Sequence, residues 1–218
     1  MAAELIEYGS PDAWVAGAVQ PLTRAIADAL EDRDEVCIAL PGGRSPAPIL
    51  ERLAVEPLPW ERIIAIPTDE RLVPDDHPAR NLGFLARNLA TAVAHGLKLE
   101  SLGPTPGPLV PPDVVFLGFG EDRHIASLFP GSVPASTLDP EGAGEVVVVT
   151  PDPLPPDAPY PRLSLSMGAI ARARHVVVAA SGTGKRRALG EALAERPAWS
   201  PLGILLAQDR VSVVVCIG

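Results

Sequence analysis

Aromatic side chains are scarce in this chain: Phe, Trp and Tyr together make up 4% of it. Proteins that hold single-stranded nucleic acid stack bases on such rings, so that class fits poorly. Basic charge is short as well, with 18 Lys and Arg against 27 Asp and Glu and a net charge of -9. No overall positive field exists to gather nucleic acid or an anionic membrane. An anionic small ligand would need a local group of cations. Cysteine is limited to Cys37 and Cys216, each in an apolar, β-branched run where a small thiol packs well and reacts poorly. They read as core residues, not as a disulfide or a metal pair. No apolar stretch approaches the roughly 18 residues of a membrane span. The opening "MAAELIEYGSPDAW" carries acidic groups where a signal peptide needs basic ones. A soluble cytoplasmic protein with neither nucleic acid nor membrane as partner is the expectation.

What the chain does have is aliphatic bulk. With 47% hydrophobic residues over 218 positions, it can bury a sizeable core, and a single domain spanning 1–218 is expected. Apolar runs at 35–41, 62–70, 113–120, 145–150, 175–182 and 210–218 do not alternate with polar residues, as strands buried on both faces of a parallel sheet do not. Helical spacing lies between them: Trp14 to Leu30 behind a Ser10-Pro11-Asp12 start signal, then 47–54, 81–93 and 185–193, with a short turn at 125–128. Pro21 predicts a kink or break in the first helix. The 26 prolines cluster in connectors such as "GPTPGPLVPPD" and "TPDPLPPDAPYP", which read as stiff loops. The fold class is α/β: a modified Rossmann-like, mostly parallel sheet with helices on both faces.

Ligands of such sheets bind outside the carboxyl ends of strands, and several of these ends are chemically rich. "LPGGRSP" follows the strand at 35–41; Gly42 and Gly43 let backbone approach a ligand, while Arg44 and Ser45 can help to hold a phosphate. An ordinary strand-to-helix turn is the plain alternative. "PTDERLVPDDHPARN" groups Asp69, Glu70, Arg71, His77, Arg80 and Asn81 in what reads as a polar loop, without the His/Cys spacing of a zinc site. "GFGEDRHIASLFPGS" offers His124 as an acid or base. "AASGTGKRRAL" lacks the first glycine and the Ser or Thr of a phosphate loop, which leaves Lys185 as a single cation at a strand-to-helix junction or as a solvated helix residue.

These pieces together resemble the 6-phosphogluconolactonase family of the pentose phosphate pathway, in order and approximate spacing, along with "PRLSLS" at 161–166. The resemblance covers almost the whole chain. It implies hydrolysis of a phosphorylated sugar lactone, a fold shared with glucosamine-6-phosphate deaminases, and neither metal nor cofactor. It implies His124 as general base and Arg162 and Lys185 as phosphate ligands. Asp69 would orient or electrostatically support the site, or else cap the next helix, and Arg71 and Arg80 are further candidate ligands. A monomer or weak homodimer is expected.

The deaminase is the competing enzyme. Its pattern places a glutamate where this chain has Phe129, and a phenyl ring cannot accept a hydrogen bond from histidine; it also favours tyrosine where Arg71 stands. The lactonase pattern is itself broken at two places, with Arg123 for a glycine and Ile125 for a threonine. A glycine before the histidine suits positive φ, which arginine tolerates poorly. Arg123 then either enters the pocket as an extra cation or points to solvent and pairs with Glu121 or Asp122. Because of these departures, a sugar-phosphate-binding module without turnover is a third reading.

Overall fold

The computed structural model describes residues 3–103, 106–154, 159–196 and 198–218. Its centre is a seven-stranded sheet in the order β1-β11-β10-β7-β2-β3-β5. Those strands are β1 (Glu4–Glu7), β2 (Val36–Leu40), β3 (Ile63–Pro67), β5 (Lys98–Leu99), β7 (Val114–Leu117), β10 (His175–Ala180) and β11 (Ser212–Ile217). Every neighbouring pair is parallel. A four-stranded sheet stands beside it, built from β4 (Asp69–Arg71), β6 (Gly107–Pro108), β8 (Glu145–Val149) and β9 (Arg162–Leu165) in the order β4-β9-β8-β6, all antiparallel.

Helices cover both faces of the parallel sheet. On one face Val36, Ile38, Leu40 and Phe116 meet α1 (Pro11–Glu31), α2 (Ala47–Leu53), α3 (Asn81–Asn88) and α4 (Ala90–Ala94). On the other, Val115, Leu117, Val176 and Val178 meet α5 (Met167–Ala171), α6 (Thr183–Ala194), α7 (Pro201–Leu206) and the inner side of the second sheet. Successive strand residues thus enter opposite cores, which is why the runs are apolar throughout. Cys37 and Cys216 are free, and burial pushes their thiols up to about 12 and about 11.

Several expectations need correction. The run at 145–150 is a strand, but of the antiparallel sheet; Val146 and Val149 are buried while Val148 is exposed, a one-sided burial hidden because all of these positions carry the same residue. Pro21 does not break α1, which is continuous through it. Leu22, Ala25 and Ile26 after the proline and Ala18 and Val19 before it are all buried, and at about 1.5–3 kcal/mol for each large side chain this outweighs a helix-proline cost of about 3 kcal/mol. The helix expected over 81–93 is interrupted at Leu89, whose ψ of 18 separates α3 from α4. Residues 125–128 do form a short turn, closed by the Leu128 N–H on the Ile125 carbonyl at 2.9 Å, but with Ala126 at a φ of 47° it is not helical, and isolated bridges join Ile125 to Phe119 and to Leu128. Asp69–Arg71 is strand β4 and not loop. Short elements that carry no long apolar run, β1, β9, α5 and α7, gave no local signal.

Candidate active site

Outside the carboxyl ends of β2, β3, β7 and β10 lies an open cavity of about 200 Å³. Gly42, Gly43, Arg44 and Ser45, from the loop between β2 and α2, form one wall. Asp69 and Arg71 of β4 and Arg162 of β9 form the floor, and His124 and Lys185 close the remaining side. A larger hollow of about 600 Å³ near Trp14 and Gly182 has no comparable convergence of cations around a histidine.

The floor is a buried polar network rather than a solvated loop. Glu70, 2% exposed, accepts from the backbone N–H of Asn81 at 2.7 Å and of Leu82 at 2.8 Å. These are orphan donors at the start of α3, where a negative charge also complements the helix dipole. Arg80 pairs with the same carboxylate at 3.5 Å. Asn81 is buried too; its side-chain amide donates to the Asp69 backbone carbonyl at 2.7 Å and to its carboxylate at 3.2 Å, while its Oδ1 accepts from Arg71 at 2.6 Å. The other Asp69 oxygen accepts from Ser127 Oγ at 2.5 Å. Asp69 is therefore locked by α3 on one side and by the histidine loop on the other. A side chain at Gly42 would put its Cβ 2.0 Å from Asn81 Oδ1, so glycine there lets the phosphate-loop candidate lie flat on this network.

His124 sits at the cavity with 29% of its side chain exposed. Its Nδ1 is 2.6 Å from Asp122 Oδ1, and its ring packs on Phe129 with centroids 4.4 Å apart. Burial pulls the Asp122 carboxyl upward, but hydrogen bonds and charge from His124 together outweigh it, and the group lies below its ordinary value. An ionised carboxylate only accepts, so Nδ1 carries the proton and donates it, and in the neutral imidazole this tautomer leaves the lone pair on Nε2. Gly120 makes room for the pair: a Cβ there would sit 2.0 Å from Asp122 Oδ1 and 2.2 Å from His124 Nδ1.

The cations are partly desolvated. Burial lowers the Arg162 guanidinium, with neighbouring Asp69 opposing and Arg71 reinforcing the shift; its Nη1 donates to Ser127 Oγ at 3.4 Å, and it lies 5.3 Å over Phe129. Lys185, in the first turn of α6, donates to the Phe119 carbonyl. Burial lowers its ammonium too, with Glu121 and Asp122 pulling the other way. An anion entering the cavity meets positive groups that have already lost part of their water, which strengthens the attraction.

Residues 9–107 and 90–214 match the sequence model of the family described as glucosamine-6-phosphate isomerases/6-phosphogluconolactonase. The chain belongs to this family. Among its relatives, the 6-phosphogluconolactonase of Pseudomonas putida is 37% identical over 183 residues, 76% of this chain and 73% of that one. The 6-phosphogluconolactonase of Caulobacter vibrioides is 31% identical over 225 residues, covering 96% and 95%. The crystal structure of a 6-phosphogluconolactonase from Shewanella baltica matches with a TM-score of 0.84 at 24% identity over 99% of this chain and 98% of that one, which establishes the shared fold.

Not every residue singled out in the sequence reaches the site of this family member. Arg80 turns away, toward Glu70, Asp75 at 3.2 Å and the Val73 carbonyl; its place is the helix cap and not the cavity. His77 accepts from the Ala79 N–H and packs edge-on against Tyr160. Arg123 does adopt a positive φ, 70°, but it neither enters the cavity nor pairs with Glu121 or Asp122. It reaches Glu191 and Glu195 instead. Asp122 is the functional candidate that the sequence concealed. Two acidic residues precede Arg123, and only the turn shows which of them faces the imidazole. Ser127, buried in "HIASLF", likewise gave no signal beyond its small size.

Proposed function

We propose that this protein hydrolyses 6-phospho-D-glucono-1,5-lactone to 6-phosphogluconate in the pentose phosphate pathway. The observation that carries the reading is the Asp122–His124 pair at 2.6 Å, set beside three partly buried cations in one cavity. The relatives named as 6-phosphogluconolactonases support it.

His124 Nε2 takes a proton from water as the water oxygen bonds to the lactone carbonyl carbon. Asp122 stabilises the imidazolium that results, and positioned acid–base catalysis of this kind contributes roughly 10² to 10⁴ in rate. The tetrahedral oxyanion is met by Arg71 or by the backbone N–H groups of Gly42 and Gly43. As the bond from carbonyl carbon to ring oxygen breaks, His124 returns the proton to the departing ring oxygen. The ring opens to a carboxylic acid and a hydroxyl, and the acid then ionises. Lys185 and Arg162, aided by Arg44 and Ser45 at the rim, hold the phosphate and so fix the distance of the carbonyl from the base. Asp69 orients this floor through Asn81 and Ser127. The protein works as a single cytoplasmic domain, as a monomer or weak homodimer.

The test is freshly generated lactone, followed by proton release above the spontaneous rate, beside an assay of glucosamine-6-phosphate deamination. Acceleration of the first alone is expected. Deamination instead would assign the isomerase reaction, and binding of 6-phosphogluconate without acceleration of either would assign a binding module.

A further inference from the structure

Arg123 immediately precedes the proposed base and holds a left-handed φ of 70°, which arginine keeps only where its surroundings enforce it. Apart from its N–H, which donates to the Gly120 carbonyl at 3.0 Å within the turn, its contacts lie on the side away from the cavity. Its carbonyl accepts from Leu202 N–H at 3.1 Å, at the start of α7. Its guanidinium meets Glu191, near the end of α6, at 3.0 Å, and Nε stands 3.6 Å from Glu195. The Trp199 ring covers it at 4.7 Å. Glu195 is fixed in turn: its side chain is 5% exposed, and its Oε2 accepts from the backbone N–H groups of Trp199 and Ser200 at 3.0 Å. The two partners of this ion pair, 18% and 5% exposed, are shielded from the screening that weakens surface pairs.

One residue thus joins the histidine loop to the connection between α6 and α7. Helix α6 carries Lys185 in its first turn and Glu191 in its last, so the clamp ties the base to the helix that presents a cavity cation. We infer that Arg123 is a positioning residue: its clamp on Glu195 and Glu191 fixes the loop that aims His124, in place of the turn flexibility that a glycine would give. This rests on His124 being the base as proposed above. Glycine at this position would relieve the φ, but it would leave the loop without its tie to α6 and Glu195 buried without its cation.

The test compares lactone hydrolysis by native protein, Arg123→Gly, Arg123→Lys, Glu195→Gln and the Arg123→Gly/Glu195→Gln double variant, with melting temperature measured on the same folded preparations. Arg123→Gly is expected to lower kcat about tenfold while KM stays within about twofold, because aim is lost and phosphate grip is kept. Arg123→Lys recovers part of kcat, since charge remains and the planar stack does not. The double variant matches Arg123→Gly, as expected when one interaction is removed by either change. A kcat in Arg123→Gly equal to or above native overturns the proposal, and so does a loss confined to melting temperature. Should Arg123→Gly fail to fold, Glu195→Gln decides by the same split between kcat and KM. A native protein that gives no acceleration overturns the functional reading, and this inference with it; an active native protein with unaffected variants overturns this inference alone.

Discussion

At His124 the chemistry turns on which ring nitrogen keeps its proton. Asp122 decides this by accepting from Nδ1, so Asp122→Asn, whose amide can donate and reverse the tautomer, should lower kcat about 10²-fold or more with little change in KM. The same carboxyl sets a pH dependence of stability. Its folded value lies below the ordinary 3.8, so its contribution is fully present above the unfolded value and is lost as pH falls through the lower folded one. Melting curves taken down through the carboxylate range should show a shallower acid limb for Asp122→Asn than for native protein. His124→Ala and Lys185→Ala should separate by kinetics: the first loses roughly 10² to 10⁴ in kcat, the second chiefly raises KM, by about tenfold or more. Steady-state rates for the two variants side by side check this, and unchanged turnover without the imidazole would remove His124 from the mechanism. His124, Lys185 and Gly42 stood out in the chain because each follows an apolar run. Asp122 did not, because a turn and not a period chooses which neighbour faces the ring.

Among the elements, α3 and β4 show why polar residues that looked too hydrophilic for an interior are inside it. Glu70 serves as a cap supplied from another strand: the start of α3 has no side-chain cap from Arg80, and the carboxylate 11 residues earlier receives the Asn81 N–H instead. Glu70→Ala would strand those donors and the Arg80 charge in a buried setting. A destabilisation of about 3 kcal/mol is expected, measured by urea unfolding, together with loss of activity as Asn81 releases Asp69. Periodicity cannot show such an arrangement, since a strand of three residues has too few positions to establish one. The same brevity hid β9, α5 and α7. The long helix α1 was legible from its apolar spacing, and Pro21 does not break it because the local cost is smaller than the burial on either side.

For the molecule as a whole, the chain ends of the parallel sheet are interlocked. Strand β11 lies between β1 and β10, and Val213, Val215, Cys216 and Ile217 are buried there. At roughly 1.5–3 kcal/mol for each large aliphatic side chain, removing residues 212–217 forfeits about as much as the 5–15 kcal/mol that holds an ordinary domain together. The shortened chain should show no cooperative unfolding transition by circular dichroism; a cooperative melt would contradict this account of the sheet.

By itself the sequence determined the α/β class, because residues that face two cores must be apolar at every position, and it marked the strand ends where ligand-binding groups collect. It also resolved the family, through several motifs in one order. Tertiary structure alone decided which of those groups meet. Asp69 and Ser127 join across 58 residues and Arg123 and Glu191 across 68, and Arg80 is drawn from the cavity to a helix cap. Such pairings follow from how parallel strands bring distant loops to one edge, and a hydrophobic period read along the chain carries no information about them.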